Sequence, residues 1–551
     1  MRVKQSSKTK WLFLTGLVLS TIIVTPLTSF DPFNSAKLIV VTSLSMCLAG
    51  YLLVKVNLLQ VYKFYKVEII LISGFFIQSI LVLFTSPTAS TLQLFGIDGR
   101  NTGFIFYISL LILFISTLAI IDKNLTKYLI FTLIFVGLLN ALYGSIQFFN
   151  LDPFNWSNPY NRVFGFFGNP NFQSAFMGIT SAGLWALIFK PAITKTLRVL
   201  IGLSLILTLS IIIVSDSIQG IIVYALGLII ALYFQVLNRA RLKRFLPYFT
   251  LVTIAAFIVT VLDILQRTPW SSFLYKYSVS NRGDLWRAAW RMAVDNPIFG
   301  VGFDGYEYFY RQYRDSISII ERGEATTSNS AHNVFLDILT SGGFPLLILY
   351  ILLIGLVIKS LIKVQRKLNS YDPIFTALAG SWICYQVQSL ISINQIGIAV
   401  WGWVLGAAII AYEKSLSNDF PVGTFQKTVK TRVTWVVQSI GVILGIIISI
   451  PPYFADTNFR TAIDSRKVKL VLDSAYKWPQ SPQRMYQVAA IFKQNEILDI
   501  SERVAKDCVA KFPRSYDSWQ LLSTLSTLSE NDRNKAVEKM KELDPNNPNI
   551  K

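Results

Sequence analysis

Long apolar segments recur along almost the whole chain and limit what it can fold into. Thirteen of them are each long enough for an α-helix to cross roughly 30 Å of hydrocarbon. Charged residues make up 15% of the chain, against roughly 25% in soluble domains. We therefore expect an all-α, polytopic membrane protein rather than a soluble enzyme. The predicted spans are 11–29, 37–54, 67–85, 104–121, 128–149, 172–189, 199–214, 219–237, 246–264, 333–358, 374–391, 396–412 and 433–450.

Basic residues are unevenly distributed between the two ends of these spans. With the N-terminus inside, the inner segments contain 24 Lys and Arg, whereas the short outer loops contain only Lys37, Arg100 and Arg162. This positive-inside bias predicts an internal N-terminus and an external C-terminus. It also explains the net charge of +20 without nucleic acid as a partner. The segment 11–29 follows basic residues as a signal peptide does, but its length favours a retained span.

Two long regions lie outside the predicted spans, the outer loop 265–332 and the tail 456–551. We therefore divide the chain into a membrane domain of residues 1–455, which includes the outer loop, and the tail. Within the tail, Trp478–Ser481 recurs as Phe512–Ser515 after 34 residues. A period of this length is typical of tetratricopeptide helix pairs, and an irregular helical tail is the alternative. In either case we expect the tail to be an outer platform for an envelope partner. We also expect that removal of the tail would leave donor binding intact.

The outer loop combines an Arg- and Trp-rich helical run, a glycine-rich turn and a histidine. The run 281–291 is followed by Gly300-x-Gly302-x-x-Gly305, and the loop ends at His332, the chain's one histidine. The glycine spacing matches a dinucleotide-binding fingerprint, but no βαβ unit surrounds it. We therefore expect Gly300 and Gly302 to form a structural turn that brings the backbone close to another segment or to a ligand.

Several of these motifs together resemble the O-antigen ligase and polymerase superfamily. The resemblance extends over about residues 10–450, and the tail is similar to that of members with outer tetratricopeptides. Ser217–Gly220 lacks the arginine that some members have at that site. The matching residues are Arg282 with Trp286, Asn296-Pro297 with Gly300 and Gly302, Ala331-His332-Asn333 with Gly342-Gly343, Gly96–Gly103, Arg162–Asn171, Tyr385–Ser389 and Trp401.

The resemblance implies a glycosyltransferase in the bacterial cytoplasmic membrane with an extracytoplasmic tail. The donor would be a glycan on a polyprenyl diphosphate of the undecaprenyl type, and no cofactor or metal would be required. Direct displacement would invert the anomeric carbon. The acceptor could be a lipid core sugar (ligase), a second glycan (polymerase) or a protein hydroxyl.

Basic side chains suit this chemistry because the diphosphate leaving group needs its negative charge held. Arginine pairs with phosphate oxygens in a bidentate way, and Arg282 is our first catalytic candidate. His332 is the second, as the general base that accepts the acceptor proton. The predicted substrate-binding residues are Arg100, Arg162, Arg287, Arg291, Asn333, Trp286 and Trp290.

Each of these residue types also has a structural interpretation. His332 could be a hydrogen-bonded structural residue or bind diphosphate in its protonated form, and the tryptophans could belong to an interfacial belt. Asn169 and Asn171 precede the sixth span and are better read as a helix cap than as donor ligands. The carboxylate pairs Asp304 with Glu307 and Glu321 with Glu324 have helical spacing, and we expect them to be solvated rather than to bind metal.

Two other classes of function remain open from the sequence. A transporter or flippase of a glycolipid or small anion could use thirteen spans as a pathway. Ion-coupled transporters usually hold charged residues near mid-membrane, whereas here Glu68, Asp216, Asp263 and Asp337 all fall near span ends. A scaffold with an inactive membrane part is the third class, and Arg282 and His332 argue against it.

Overall fold

The computed structural model describes residues 7–156, 158–239, 242–264, 282–416, 427 and 429–550. The part 265–281 of the predicted outer loop therefore lies outside the described residues, as do the first six residues. We number the described α-helices α1–α24 in chain order. The bundle comprises α1 Ser7–Ile22, α2 Ser35–Lys55, α3 Leu58–Phe64, α4 Lys66–Thr85, α5 Ser90–Phe95, α6 Phe104–Ile120, α7 Lys123–Phe148, α8 Pro170–Ile188, α9 Lys195–Val214, α10 Ile218–Leu237, α11 Leu246–Ile264, α15 Val334–Lys367, α16 Pro373–Ser389, α17 Ile396–Ser415 and α18 Thr431–Ser449.

The remaining helices form the loop between α11 and α15 and the tail. Those of the loop are α12 Arg282–Asp295, α13 Tyr306–Tyr313 and α14 Ser316–Arg322. Those of the tail are α19 Pro451–Ser465, α20 Val468–Ala475, α21 Pro482–Gln494, α22 Leu498–Lys511, α23 Tyr516–Ser523 and α24 Glu530–Leu543. Within the described ranges, every regular element of the chain is thus a helix.

Apolar helices make this a multi-pass membrane protein. In the described part of the chain, eight helices have the length and apolar character needed to cross a bilayer: α2, α4, α7, α9, α10, α15, α17 and α18. Helices suit this environment because they satisfy their own backbone groups where no water is present. Each of the thirteen predicted segments falls on a helix. The count of thirteen spans and their orientation stay predictions.

The helix α17 forms the centre of the bundle. Its most apolar stretch is buried along its whole length, and it packs against α6, α15 and α16. By contrast, only about a fifth to a third of the corresponding stretches of α4, α9 and α18 is buried. These helices therefore present apolar side chains to the surrounding lipid, as an outer ring would.

Small residues bring α2 and α18 into close contact. A Cβ atom on Gly441 would lie 2.4 Å from the carbonyl oxygen of Met46, and one on Gly445 would lie 2.5 Å from the Cα of Ser43. Close backbone approach of this kind is how membrane helices associate where lipid removes the hydrophobic driving force.

The first helix is shorter than the sequence predicts. The span was expected to reach residue 29, but α1 ends at Ile22. Pro26 lacks a backbone donor and cannot continue a helix, and the chain turns back so that the Thr25 amide donates to the Pro32 carbonyl at 2.9 Å. Residues 23–34 therefore form a loop beyond the bundle.

Four connecting segments and the tail meet at one end of the bundle, which we name the loop face. The segments are 23–34, 86–103, 149–169 and 282–333. Asn34 donates to the Gly99 carbonyl at 2.7 Å, and Lys37 donates to the carbonyls of Phe33 and Phe166, each at 2.8 Å. The charge bias of the sequence predicts that the loop face is extracytoplasmic.

The glycine-rich turn predicted at 300–302 packs against a break in α15. The break lies at Gly342 and Gly343, where the backbone leaves helical geometry. The Val301 amide donates to the Thr340 carbonyl at 2.7 Å, and the Phe344 amide donates to the Pro297 carbonyl at 2.8 Å. Backbone groups freed by the break thus find partners within the protein, as they must near a membrane.

We expect Gly300→Ala to destabilise the protein. Gly300 has φ +61°, and a Cβ there would lie 2.2 Å from the Thr340 carbonyl oxygen. Left-handed strain alone costs roughly 1–2 kcal/mol, and the clash adds to it. Thermal unfolding in detergent should show a clearly lower midpoint. Gly355→Ala on α15 is the matched control, because nothing lies within 4 Å of its Cβ position. Equal midpoints for the two variants would contradict this packing.

Candidate functional site

The loop 96–103 that carries Arg100 is fastened by Asp304. The Asp304 carboxylate accepts hydrogen bonds from the Ile97 amide at 3.2 Å, the Thr102 amide at 3.3 Å and the Thr102 hydroxyl at 2.9 Å. Asp304 is buried, so the expectation that it is solvated is wrong. Its buried carboxylate instead holds a loop more than 200 positions away in the chain.

Arg100 is a buried cation with two nearby carboxylates. Its Nη2 lies 3.7 Å from Asp304 and 3.7 Å from Asp337, and its Nη1 donates to the Asn329 carbonyl. Its Nε is buried and has no hydrogen-bond partner among the described residues. Both carboxylates lie beyond hydrogen-bonding distance of Nη2, so the guanidinium retains donor capacity for a ligand.

Arg282 is the first residue of α12, and its buried charge has fewer partners in the described structure than that of Arg100. Its side chain is 8% exposed, and no described carboxylate forms an ion pair with it. The Nη1 atom is buried without an acceptor in the described structure. Burial lowers the pKa of Arg282 to about 10. A buried, unpaired guanidinium is costly, and it becomes favourable when an anion binds.

His332 lies close to both arginines. Burial, and after it the positive charges of Arg282 and Arg100, together lower the pKa of His332 to about 4. The ring is therefore neutral at pH 7 and can accept a proton. No described residue forms a hydrogen bond with the imidazole. We name Arg100, Arg282 and His332 the cationic centre.

The backbone around the cationic centre adopts an uncommon conformation at three non-glycine residues. Asn101 has φ +55°, Asp304 has φ +52° and His332 has φ +51°. Such left-handed residues persist where the surroundings fix them, and they are frequent at functional sites. The His332 amide is held by the Ser330 hydroxyl at 3.2 Å.

Arg287 and Arg291 lie on an exposed face of α12 and already have partners. The Arg287 Nε is 2.9 Å from one carboxylate oxygen of Asp315, and Arg291 pairs with the other. Arg287 also pairs with Asp284. A role for either arginine in diphosphate binding stays a prediction, and it would require these exposed pairs to open.

Asn333 and the two tryptophans connect α12 and α15 to their surroundings. Asn333 caps α15 by accepting from the Phe335 and Leu336 amides, and its Nδ2 donates to the Leu390 carbonyl at 2.8 Å. Trp290 is 53% exposed and contacts Phe344 edge-on at 5.8 Å, whereas Trp286 is half-buried. Asn333 thus has a structural task that the sequence did not indicate.

The connecting segment that carries Arg162 is attached to the start of α10. Arg162 pairs with Asp216, and both side chains are about half exposed. Asn169 caps α8 by accepting from the Asn171 amide at 2.9 Å, in agreement with the capping interpretation. Within Ser217–Gly220, Gln219 donates to Gln388 at 3.1 Å in a buried contact.

Buried ion pairs fasten the tail to the outer loop. Arg314 follows α13 and donates to both carboxylate oxygens of Asp544 after α24, with side chains 1% and 0% exposed. The guanidinium of Arg514 lies over the Phe309 ring at 3.6 Å. Tail removal would take away the carboxylate partner of Arg314, and the expectation that it leaves donor binding intact stays a prediction. The tetratricopeptide assignment stays a prediction.

We expect Asp544→Ala to loosen this junction. Breaking a buried ion pair by removing one partner costs about 3–5 kcal/mol, because the other charge stays buried. The midpoint of thermal unfolding should fall, and protease should release the tail more quickly. Glu538→Gln on the exposed side of α24 serves as control and should leave both measurements unchanged. Unchanged tail release in Asp544→Ala would contradict the anchoring role.

A comparison with known families identifies a related segment. Residues 203–351 match the profile of a family described as O-Antigen ligase. This stretch runs from α9 into α15 and includes Arg282, the glycine-rich turn and His332. No curated protein matches the chain. The similarity supports membrane glycosyl transfer of the O-antigen ligase kind.

Proposed function

We propose that the chain transfers a glycan from a polyprenyl diphosphate carrier to an acceptor hydroxyl at the loop face. The observation that carries this proposal is the cationic centre itself, a neutral His332 beside two buried arginines with unused donors. The centre belongs in part to the segment that resembles O-antigen ligases. On the predicted orientation, transfer takes place outside the cytoplasm.

The leaving group determines what the arginines do. As the bond between the anomeric carbon and the phosphate oxygen breaks, its electron pair stays with the diphosphate. Arg282 and Arg100 hold this charge with their unused donors, and such preorganised donors make a large contribution to transfers of this kind. Arg282 has no competing carboxylate among the described residues, so it is the stronger phosphate ligand of the two.

The acceptor hydroxyl provides the nucleophile. Its oxygen forms the new bond to the anomeric carbon, and its proton passes to the neutral imidazole of His332. A single displacement of this kind inverts the anomeric carbon. Asp304 acts as a positioning residue, because it fixes the loop that carries Arg100 without itself reaching the reacting atoms.

The activity of the free protein should depend on pH through His332. Because the pKa of His332 is about 4, the unprotonated base is present throughout the neutral range and is lost only as the pH falls through about 4. We expect kcat/KM to be flat from neutral pH to about 5 and to fall below it. Bound diphosphate stabilises the imidazolium, so the acid limb of kcat should lie at higher pH.

Steady-state rates across this range, with activity re-measured at pH 7 after each exposure, would check this dependence. The pH profile of the residual activity of His332→Asn should lack the acid limb. An acid limb of kcat/KM near the ordinary histidine value of about 6.5 would contradict the buried, arginine-flanked environment.

Proteoliposomes provide the test of the proposed function. The full chain would be supplied with a polyprenyl diphosphate-linked glycan and with lipid, glycan and protein acceptors in turn. We expect release of polyprenyl diphosphate that requires an acceptor, and the acceptor that works names the reaction. Movement of the intact glycolipid across the bilayer, without release under any condition, would favour the transporter interpretation.

A further inference from the structure

A second cavity on the loop face differs in chemistry from the cationic centre. It has a volume of about 750 Å³ and lies between the loop 23–34, Asp98 and Gly99, the residues Asn155, Trp156 and Pro159, and the tail helices α19 and α21. Ligand pockets typically measure roughly 300–1,000 Å³, so this cleft has room for several sugar rings. We name it the tail cleft.

Aromatic side chains line the tail cleft although its surroundings are polar. Phe30 is 57% exposed and contacts the Phe459 ring at 5.4 Å. Trp156 stacks on Phe33 at 5.0 Å, and its indole nitrogen donates to Asp152 at 2.8 Å. Fixed aromatic rings pack against the C–H faces of pyranose rings at little entropic cost, since they are already ordered.

The charged groups of the tail cleft are mainly carboxylates. Asp31, Asp98, Asp456 and Asp464 line it, together with two arginines that have partners within the protein. Arg460 donates to the carbonyls of Pro26 and Ser29, each at 2.8 Å.

The second of these arginines is engaged in the same way. Arg484 donates to the carbonyls of Ser474 at 3.1 Å and Lys477 at 2.8 Å, and its Nη1 lies 3.5 Å from Asp98. Carboxylate oxygens accept hydrogen bonds from hydroxyl groups and repel anions. The lining therefore suits uncharged sugars and not a diphosphate.

Two of these carboxylates, those of Asp31 and Asp456, lie close together. Their proximity supports the interpretation that the cleft binds uncharged sugars. Asp456 accepts a hydrogen bond from the Asp31 amide at 3.0 Å. Burial and then the neighbouring Asp31 raise the pKa of Asp456 to about 7. Burial also raises the pKa of Asp31 to about 6. Near neutral pH these groups can therefore both donate to and accept from sugar hydroxyls.

The tail cleft shares a wall with the cationic centre. Asp98 and Gly99 line the cleft, and the next residue is Arg100. Asn34 holds this wall through its hydrogen bond to the Gly99 carbonyl. The cleft thus adjoins the loop that carries Arg100, so a glycan held at Arg100 would lie one loop away from it.

We propose that the tail cleft binds the uncharged sugar chain of the glycan substrate while the diphosphate lies at the cationic centre. This inference rests on the proposed function and assigns the tail a part in substrate binding. This sugar chain could belong to the donor or to the acceptor, since both present hydroxyl groups and pyranose faces.

Two substitutions test this assignment without disturbing the fold. Phe30→Ala and Gln487→Ala remove an exposed ring and an exposed amide from the cleft. Phe149→Ala, 66% exposed near the same face, and Gln494→Ala, at the end of the helix that carries Gln487, are matched controls outside the cleft.

The full chain in nanodiscs would be titrated with two probes. One is the oligosaccharide released by mild acid from carrier lipids of the source cells, and the other is a polyprenyl diphosphate carrying a single sugar. We expect each cleft variant to weaken oligosaccharide binding about five- to tenfold and to leave the single-sugar lipid unaffected. In the transfer assay, the cleft variants should raise the KM either for the donor or for the acceptor. The substrate whose KM rises is the source of the bound sugar chain.

The outcomes separate this proposal from the proposed function. Oligosaccharide binding that is absent, or equal in cleft and control variants, overturns the tail cleft as a sugar site while leaving transfer untouched. Tight binding of a strongly anionic oligosaccharide would also overturn it. Cleft-dependent oligosaccharide binding by a protein that transfers nothing would instead reject the proposed function and support the cleft.

Discussion

Replacing His332 by asparagine is expected to lower the transfer rate by about two to four orders of magnitude, the usual contribution of a general base. Asparagine tolerates the left-handed backbone that His332 adopts at φ +51°, so the local fold should persist. It cannot accept a proton at neutral pH. Initial rates of polyprenyl diphosphate release at saturating donor would measure the loss.

The same variant should bind the donor as well as the unmodified protein does. His332→Ala provides a second comparison, because alanine adds backbone strain that asparagine avoids. Similar losses of rate in both variants, with an unchanged unfolding midpoint in His332→Asn, would assign the effect to the missing base. Near-normal turnover in His332→Asn would reduce His332 to a structural residue.

Replacing Arg282 by lysine is expected to reduce kcat/KM by roughly 10²-fold, even though the positive charge remains. Lysine is a point charge and cannot reproduce the planar, bidentate contact of guanidinium with phosphate oxygens. Removal of one preorganised donor to a developing anion typically costs roughly 10²–10³ in rate. Donor titrations together with turnover would separate binding from chemistry.

Arg287→Lys on the same helix provides a graded comparison. Arg287 is 55% exposed and pairs with Asp284 and Asp315, so we expect a loss well below that of Arg282→Lys. Equal losses would show that the exposed face of α12 contacts the diphosphate, as the sequence first indicated. Full activity in Arg282→Lys would leave Arg282 with no more than a general electrostatic role.

The bundle could be predicted because a bilayer imposes one solution on an apolar segment. A chain in hydrocarbon must satisfy its own backbone, so each long apolar run becomes a helix regardless of its neighbours. The ends depend on local detail, and α1 stops at Ile22 because Pro26 follows. The short helices α3 and α5 carry too few residues to produce a recognisable period.

The contacts of the cationic centre could not be predicted in the same way. Asp304 and Glu307 have helical spacing, which suggested an exposed pair on one helix. Asp304 instead has φ +52° and precedes α13, which begins at Tyr306, so its carboxylate turns inward to the loop of Arg100. A separation of about 200 positions along the chain leaves no local pattern that reveals such a contact.

For the arginines too, the sequence indicated the chemistry but not the contacts. Their residue type and positions indicated anion binding, with Arg282 as the first candidate and Arg287 and Arg291 as further substrate-binding residues. The fold adds a physical difference between them, because Arg282 is buried without a described carboxylate partner, whereas Arg287 and Arg291 share Asp315. Asp315 lies more than twenty positions beyond both, so spacing alone could not identify it as their partner.

The location of the bound diphosphate tests the central claim most directly. Cryo-electron microscopy of the full chain in nanodiscs, with a diphosphonate analogue of the glycan-linked donor, would show where the phosphorus atoms lie. We expect both within hydrogen-bonding distance of Arg282 or Arg100, with the anomeric carbon facing His332. A diphosphate bound away from these residues, or at the opposite end of the bundle from the loop face, would contradict the proposed transfer centre.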